Sequence, residues 1–158
     1  MKRNPKKARQ RQQSLQVWTY AQAQAAIPYV ASVVRSLREH ALTALACQRK
    51  LEQIAKRPGR PDRTILIDQQ EQERQLRQAE SQLHDAAEEL EALDVYTFDP
   101  IQGLALVPFV HDDQLAWFIF DVFDSQPFRF WRFQSDPDET RRPVTARQQG
   151  LASSARNV

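Results

Sequence analysis

The chain is poor in the residues that most enzymes and secreted folds rely on. Its single cysteine, Cys47, excludes an intramolecular disulfide and a Cys-rich metal site. Three glycines in 158 residues cannot supply a phosphate-cradling loop or dinucleotide fingerprint. No apolar run approaches the roughly 18–20 residues of a membrane span, so no membrane association is expected. The start, 1–13, has no apolar core behind its charges and does not read as a secretory signal; the expected compartment is cytoplasmic. What is abundant is Gln (20) and Ala (19), a quarter of the chain, and both favour helix.

The net charge of +2 conceals a pattern along the chain. Residues 1–13 carry six Lys or Arg and no acid, and 14–63 carry eight bases against three acids; 64–95 then carry nine acids against two Arg. The aromatics are also segregated, with eleven of fourteen between Tyr96 and Phe133 and none in 30–95. The chain therefore divides into a helical part, 19–94, and a strand part, 95–133, forming one domain over 14–144. A disordered basic tail (1–13) and a flexible C-terminal tail (145–158) are expected to flank it.

Thr19-Tyr20-Ala21-Gln22 has the form of a capping box. Pro28 then opens a longer helix or kinks a continuous one. Ile27, Val30, Val34, Leu37, Ala41, Ala44, Gln48, Leu51 and Ala55 follow at spacings of three and four, a coiled-coil-like stripe with one polar break. Pro58-Gly59-Arg60-Pro61 stops this helix and Asp62 starts another, whose stripe is Leu76, Ala79, Leu83, Ala86, Leu90 and Leu93. Two helices of ~30 residues, each about 45 Å long, joined by a short connection form an antiparallel hairpin. A basic helix beside an acidic one is expected to gain flanking cross-helix ion pairs, which select the partner more than they stabilise it.

After Asp94 the period changes to two. Val95–Phe98, Leu104–Val110, Leu115–Phe123 and Phe128–Phe133 read as short strands separated by tight loops, an antiparallel meander of three to four strands. Pro108 places its strand toward an edge or a bulge. If Phe123 pairs with Phe128, Asp121 faces Phe130 and Arg132 lies diagonal to Asp121 on one sheet face. The fold class is thus α+β: a long two-helix hairpin packed with a small antiparallel sheet.

Several segments together resemble the domain of unknown function 2203 family of small prokaryotic proteins. Trp18-Thr19-Tyr20-Ala21-Gln22-Ala23 is similar to its aromatic-Thr-x-x-Glu-Ala opening, and Ile27-Pro28 to its Leu-Pro step. Leu93-Asp94-Val95 with Gly103-Leu104 and Pro108 is similar to its GV…GLVDFP segment. Arg129-Phe130-Trp131 and Arg142-Pro143-Val144 match its R-(Y/F)-W and R-P-(I/V) strands. The resemblance implies a helical hairpin with a small sheet and carries no established activity. Where members usually carry Cys-Trp-Arg and Trp-His-Glu, this chain has Ile119-Phe120-Asp121 and Trp131-Arg132-Phe133, and Leu106 replaces a usual Asp. Any metal or catalytic cluster the family builds there is implied to be lost.

Residue by residue, the chemistry is sparse. His40, His84 and His111 fall on three elements without a ligand spacing, and only His111 with Asp112 and Asp113 is placed for a metal. Cys47, on an Ala-rich helix face, reads as a packed residue. Glu88, Glu89 and Glu91 read as a solvated helix face. Asp121 and Arg132 read as an ion pair fixing register or, together with Asp124, as a remnant site. Lys2, Arg3, Lys6, Lys7, Arg9 and Arg11 form a basic arm able to follow phosphates, with exposed aromatics beside Arg129 and Arg132 as possible stacking partners. The acidic helix would compete for the bases before position 64.

Three functions follow in order. The first is a non-enzymatic structural or protein-interaction module that binds a protein partner or self-associates through the helix stripes. The second is a nucleic-acid-associated protein acting through the basic arm. The third is a degenerate enzyme or metal-binding protein at Asp121, Asp124 and Arg132. No cofactor is expected.

Overall fold

The computed structural model describes residues 15–150. Three helices, α1 (Tyr20–Ala25), α2 (Ile27–Ala55) and α3 (Arg63–Glu91), precede five strands, β1 (Tyr96–Asp99), β2 (Leu104–His111), β3 (Gln114–Asp121), β4 (Phe130–Phe133) and β5 (Arg142–Pro143). The strands form one antiparallel sheet in chain order. Two long packed helices and an antiparallel sheet make an α+β fold. The sheet has one strand more than the meander expected over 95–133, because Arg142–Pro143 returns to pair with β4.

Local chemistry sets each boundary. The Thr19 hydroxyl accepts from Gln22 N–H while the Gln22 amide accepts from Thr19 N–H, completing the capping box. Pro28 lacks the N–H that would carry α1 onward, so the chain restarts with Pro28 in the first turn of α2, where the missing donor costs nothing. Asp62 Oδ1 accepts from Ile65 N–H at 2.9 Å and caps α3. At the other end Asp94 adopts φ 58°. Val95 N–H reaches Leu90 O at 3.1 Å and Asp94 N–H reaches Glu91 O at 2.9 Å, the paired bonds of a Schellman closure. Asp112 and Asp113, both at positive φ, form the two-residue β2–β3 turn.

The sheet presents two apolar faces. Ala105, Val107, Phe109, Ala116, Phe118, Phe120 and Trp131 pack inward against Val30, Val34, Leu37, Ala86 and Leu90 of the hairpin. Leu106, Trp117 and Ile119 form a second buried cluster on the outer face. Pro108 lies in β2, an inner strand, yet satisfies its edge preference: β1 pairs only as far as Leu106, and beyond it Pro108 O accepts from Trp18 N–H at 2.8 Å.

Only the base of the hairpin meets this core. On α2 the sheet-backed cluster ends at Leu37, and on α3 it begins at Leu83. Ala41, Ala44, Cys47 and Ala79 are buried outside that cluster, in the seam between the two helices. From Ala41 outward the hairpin is a two-helix arm of about 20 Å. Its seam departs from the expected stripe: Cys47 is buried and Gln48 exposed, and Ile54 is half-buried while Ala55 is exposed. Gln72 is buried opposite, with no partner for its Oε1.

The expected cross-helix ion pairs do not form. Among the described residues the helical pairs, Arg74–Glu71 and His84–Glu88, both lie within α3. Position along the helices does not forbid them: Arg35 and Arg38 lie toward the sheet end of α2, where five acids of α3 fall at 80–91. Arg38 is drawn away from α3, donating through Nε to Ile101 O at 3.0 Å and lying over the Phe123 ring. Arg49 and Lys50, toward the tip, are exposed.

Leu37, 1% exposed, lies where helix and sheet cores join. Leu37→Asp should cost more than about 3 kcal/mol, because a charge enters an apolar core. Leu83→Asp, at a partly buried position, should cost less. Thermal melts of the two variants against the parent check this order.

Candidate functional site

The β3–β4 connection brings together two of the sequence-derived candidates. Asp121 Oδ1 accepts from Phe123 N–H at 2.9 Å, and Asp124 Oδ1 accepts from Gln126 N–H at 2.9 Å. Side-chain-to-backbone bonds of this kind draw the chain out of a strand ladder. Val122 N–H accordingly bonds Gly103 O, and regular pairing stops at Ile119–Phe130. The register differs by two residues from the expected one: Arg132 faces Trp117, and Asp121 does not face Phe130. Asp121 and Arg132 therefore do not meet.

Asp124 is paired with Arg129, a residue outside the sequence-derived set. The guanidinium donates through Nε and NH2 to both carboxylate oxygens, at 2.8 and 2.9 Å. That bidentate bond, aided by the Gln126 N–H, lowers the Asp124 pKa to about 2. The five-residue spacing across a loop was the available signal for the pair. Asp121, Asp124, Arg129 and Arg141 border a depression of about 300 Å³. With its oxygens occupied and its proton lost far below neutrality, Asp124 has no proton to give as an acid, and it braces the loop.

Arg132 stands apart on the outer face. It is 5% exposed; NH1 donates to Phe133 O at 3.3 Å, NH2 lies 3.6 Å from exposed Asp138, and Nε has no partner. Three of the positions at which this chain departs from the resemblance noted above converge there, whereas Phe120 and Phe133 pack in the inner core and Asp121 lies at the β3–β4 connection. Leu106 and Ile119 are direct cross-strand partners, and Arg132 sits beside Ile119 on the neighbouring strand and the same face. Two of the three now belong to the apolar cluster with Trp117. The strand register brings Leu106, Ile119 and Arg132 onto one patch.

The remaining candidates are dispersed. His111 is enclosed by Phe109, Trp131 and Phe133, with Nε2 3.5 Å from Asp112. Asp112 in turn pairs with Arg147 at 2.7 Å. Cys47 is buried, with Sγ 3.9 Å from Gln75 Oε1. Among the described residues no group of three or more His, Cys, Asp or Glu is placed to hold a metal. None of their helices is long and apolar enough to cross a membrane. Lys2, Arg3, Lys6, Lys7, Arg9 and Arg11 lie outside the described residues.

A long helical hairpin strapped to a five-stranded antiparallel sheet thus defines the class of protein. The family described as Uncharacterized conserved protein (DUF2203) matches residues 16–143, and the chain belongs to it. No curated protein and no solved structure matches the chain.

Two measurements check the site geometry. Because folding lowers the Asp124 pKa, the Asp124–Arg129 pair contributes stability above about pH 4, where the unfolded carboxyl is ionised. That contribution is lost as pH falls toward about 2. Carboxyl NMR titration should place Asp124 near that value, and Arg129→Gln should return it toward the ordinary range. In the second, Asp121→Asn and Arg132→Met should be additive in stability, since the residues are not in contact. Arg132→Met alone should be near neutral, because it removes a buried, incompletely bonded charge.

Proposed function

We propose that the protein is a non-enzymatic interaction module whose working surface is the hairpin arm. One observation carries the reading: from Ala41 outward the two helices lie beyond the sheet-backed core and bury only each other. The fully buried seam positions are the small or polar Ala41, Ala44, Cys47, Gln72 and Ala79, while the larger Leu51, Ile54, Ile65 and Leu76 are only half-buried, so the arm leaves apolar surface unspent within the chain. The stripes proposed for partner binding are occupied within the chain, with Leu37, Ala44 and Ala79 each under a tenth exposed. Partner contact therefore falls on the arm's outside, where Leu66 and Ile67 are 46% and 57% exposed. Closure of the outer sheet face by Leu106, Trp117 and Ile119 favours binding over catalysis.

Crosslinking in the native cell followed by purification tests this, with the parent compared against Leu66→Glu combined with Ile67→Glu. Both positions are exposed, so the melting temperature should be unchanged. Loss of the crosslinked material in the double variant is the expected result. Equal recovery from both proteins would remove the arm as the working surface.

A further inference from the structure

Within the arm, the tip is chemically distinct. Residues 49–63 carry six Lys or Arg and two acids, a local charge of +4. Arg49, Lys50, Lys56, Arg57, Arg60 and Arg63 are all exposed. Their side chains enter none of the ion pairs of the described residues, which are formed by other cations. Asp62, one of the two acids, is engaged in capping α3.

The shape suits a partner that approaches closely. The tip turns through Pro58, Gly59 and Pro61, and Gly59 adopts φ +87° with open space where a Cβ would stand. A concavity of about 500 Å³ opens beside it, floored by Leu51, Ile54 and Ile65 and bordered by Arg57 and Arg60. On the α3 side Asp68, Glu71 and Glu73 follow the tip, with Glu71 engaged by Arg74 and Glu73 bordering the concavity, and the acid-rich stretch 80–91 lies farther toward the sheet. Anionic ligand is thus attracted at the end of the arm and repelled along its flank.

We propose that the hairpin tip binds the phosphate backbone of a nucleic acid through these six cations. The proposal rests on the arm being the working surface and names its partner. Four of the six are arginines, whose planar fork matches phosphate oxygens in pairs. Phosphate recognition needs only unpaired cations, because release of condensed counterions drives it. A second copy of the chain, docking its acidic flank on the tip, is disfavoured. Exposed ion pairs contribute little, and the apolar side chains at the tip, exposed Leu66 and Ile67 with half-buried Leu51, Ile54 and Ile65, are few beside the roughly 1,200–2,000 Å² that a stable interface buries. These six cations are other residues than those of the basic segment 1–13. Gln16 N–H donates to Asp94, at the opposite end of the hairpin from the tip.

The test is fluorescence anisotropy with a labelled single-stranded RNA and a duplex DNA of equal length, from about 50 to about 200 mM salt. The full chain is compared with Arg57→Glu/Arg60→Glu, with a deletion of residues 1–13, and with parent protein in sedimentation velocity. Binding to at least one probe should fall as salt rises. The charge-reversed variant should bind about tenfold or more weakly, with a log–log salt slope shallower by about two. The deletion should retain that tip-dependent component. Circular dichroism and melting unchanged in the variant would exclude misfolding as the cause.

Absence of binding to both probes at low salt would overturn the proposal, as would a variant that binds like the parent. Binding abolished by deleting 1–13 alone would also overturn it and assign the nucleic acid to that segment. A parent dimer dissolved by Arg57→Glu/Arg60→Glu, without nucleic-acid binding, would make the tip's occupant a second copy. That outcome overturns this inference yet preserves the arm as the working surface. If the Leu66/Ile67 variant also recovers its crosslinked partner in full, both readings fail.

Discussion

The fold depends on the closure that ends α3. Leu90 and Val95 are both fully buried, and the bond from Val95 N–H to Leu90 O turns the chain from helix into strand between them. Asp94, at positive φ, supplies the reversal and uses its carboxylate to hold Gln16 N–H at 2.7 Å. Trp18 completes the junction: its indole donates to Leu93 O at 3.1 Å while its backbone N–H bonds Pro108 O. One corner thus ties the start of the domain, the end of the hairpin and the middle of the sheet. The hairpin direction is set there, and so is the length of arm left projecting on the far side of Leu37.

Anchoring at one end has an electrostatic consequence. In an antiparallel hairpin the end of one helix faces the start of the other. A chain whose bases precede residue 64 and whose acids follow it need not match charge across the seam. Arg35 and Arg38 do lie toward the sheet on α2, and Asp68, Glu71 and Glu73 toward the tip on α3, yet among the described residues no ion pair joins the helices: Arg38 turns to Ile101 O and Glu71 to Arg74 of its own helix. The densest charge sits at the two ends, with five acids at 80–91 and six cations at 49–63. The seam is left to Ala, Cys47 and Gln72, which fit closely without specifying by charge. Charge separation is then available to whatever meets the arm, with little of it spent inside the molecule.

How much of this was readable from the sequence differs by scale. The capping box at Thr19, the stop at Pro58–Pro61, the Asp62 cap and the change of period after Asp94 are local signals with local causes, and the elements begin and end where those signals put them. Errors arise where a side chain competes with the ladder. Asp121 and Asp124 bind nearby backbone N–H groups, removing Val122 and Phe123 from β3 and shifting the pairing by two. Periodicity contains no record of that competition. The arm shows the same limit: a heptad stripe admits Gln48 or Cys47 at one turn, and only packing against α3 selects the smaller, less polar side chain. Arg129, placed by the sequence beside stacking aromatics, reaches Asp124 because the β3–β4 connection runs over 122–129, longer than the strand pattern implies.

The outer sheet face shows why a linear reading of the departures understates them. Leu106, Ile119 and Arg132 are separated by 13 residues at each step, yet β2, β3 and β4 bring them onto one patch. A cluster of polar groups there would draw on three adjacent strands, so replacing one member would leave the others buried and incompletely bonded. Two positions are apolar here and pack with Trp117. The third keeps a charge that is itself buried, with NH2 3.6 Å from exposed Asp138 and Nε without a partner. Two of the three replacements are consistent as packing, and the face closes around one incompletely bonded arginine. The outer face is thus occupied by packing, whereas the tip cations of the arm enter no ion pair among the described residues.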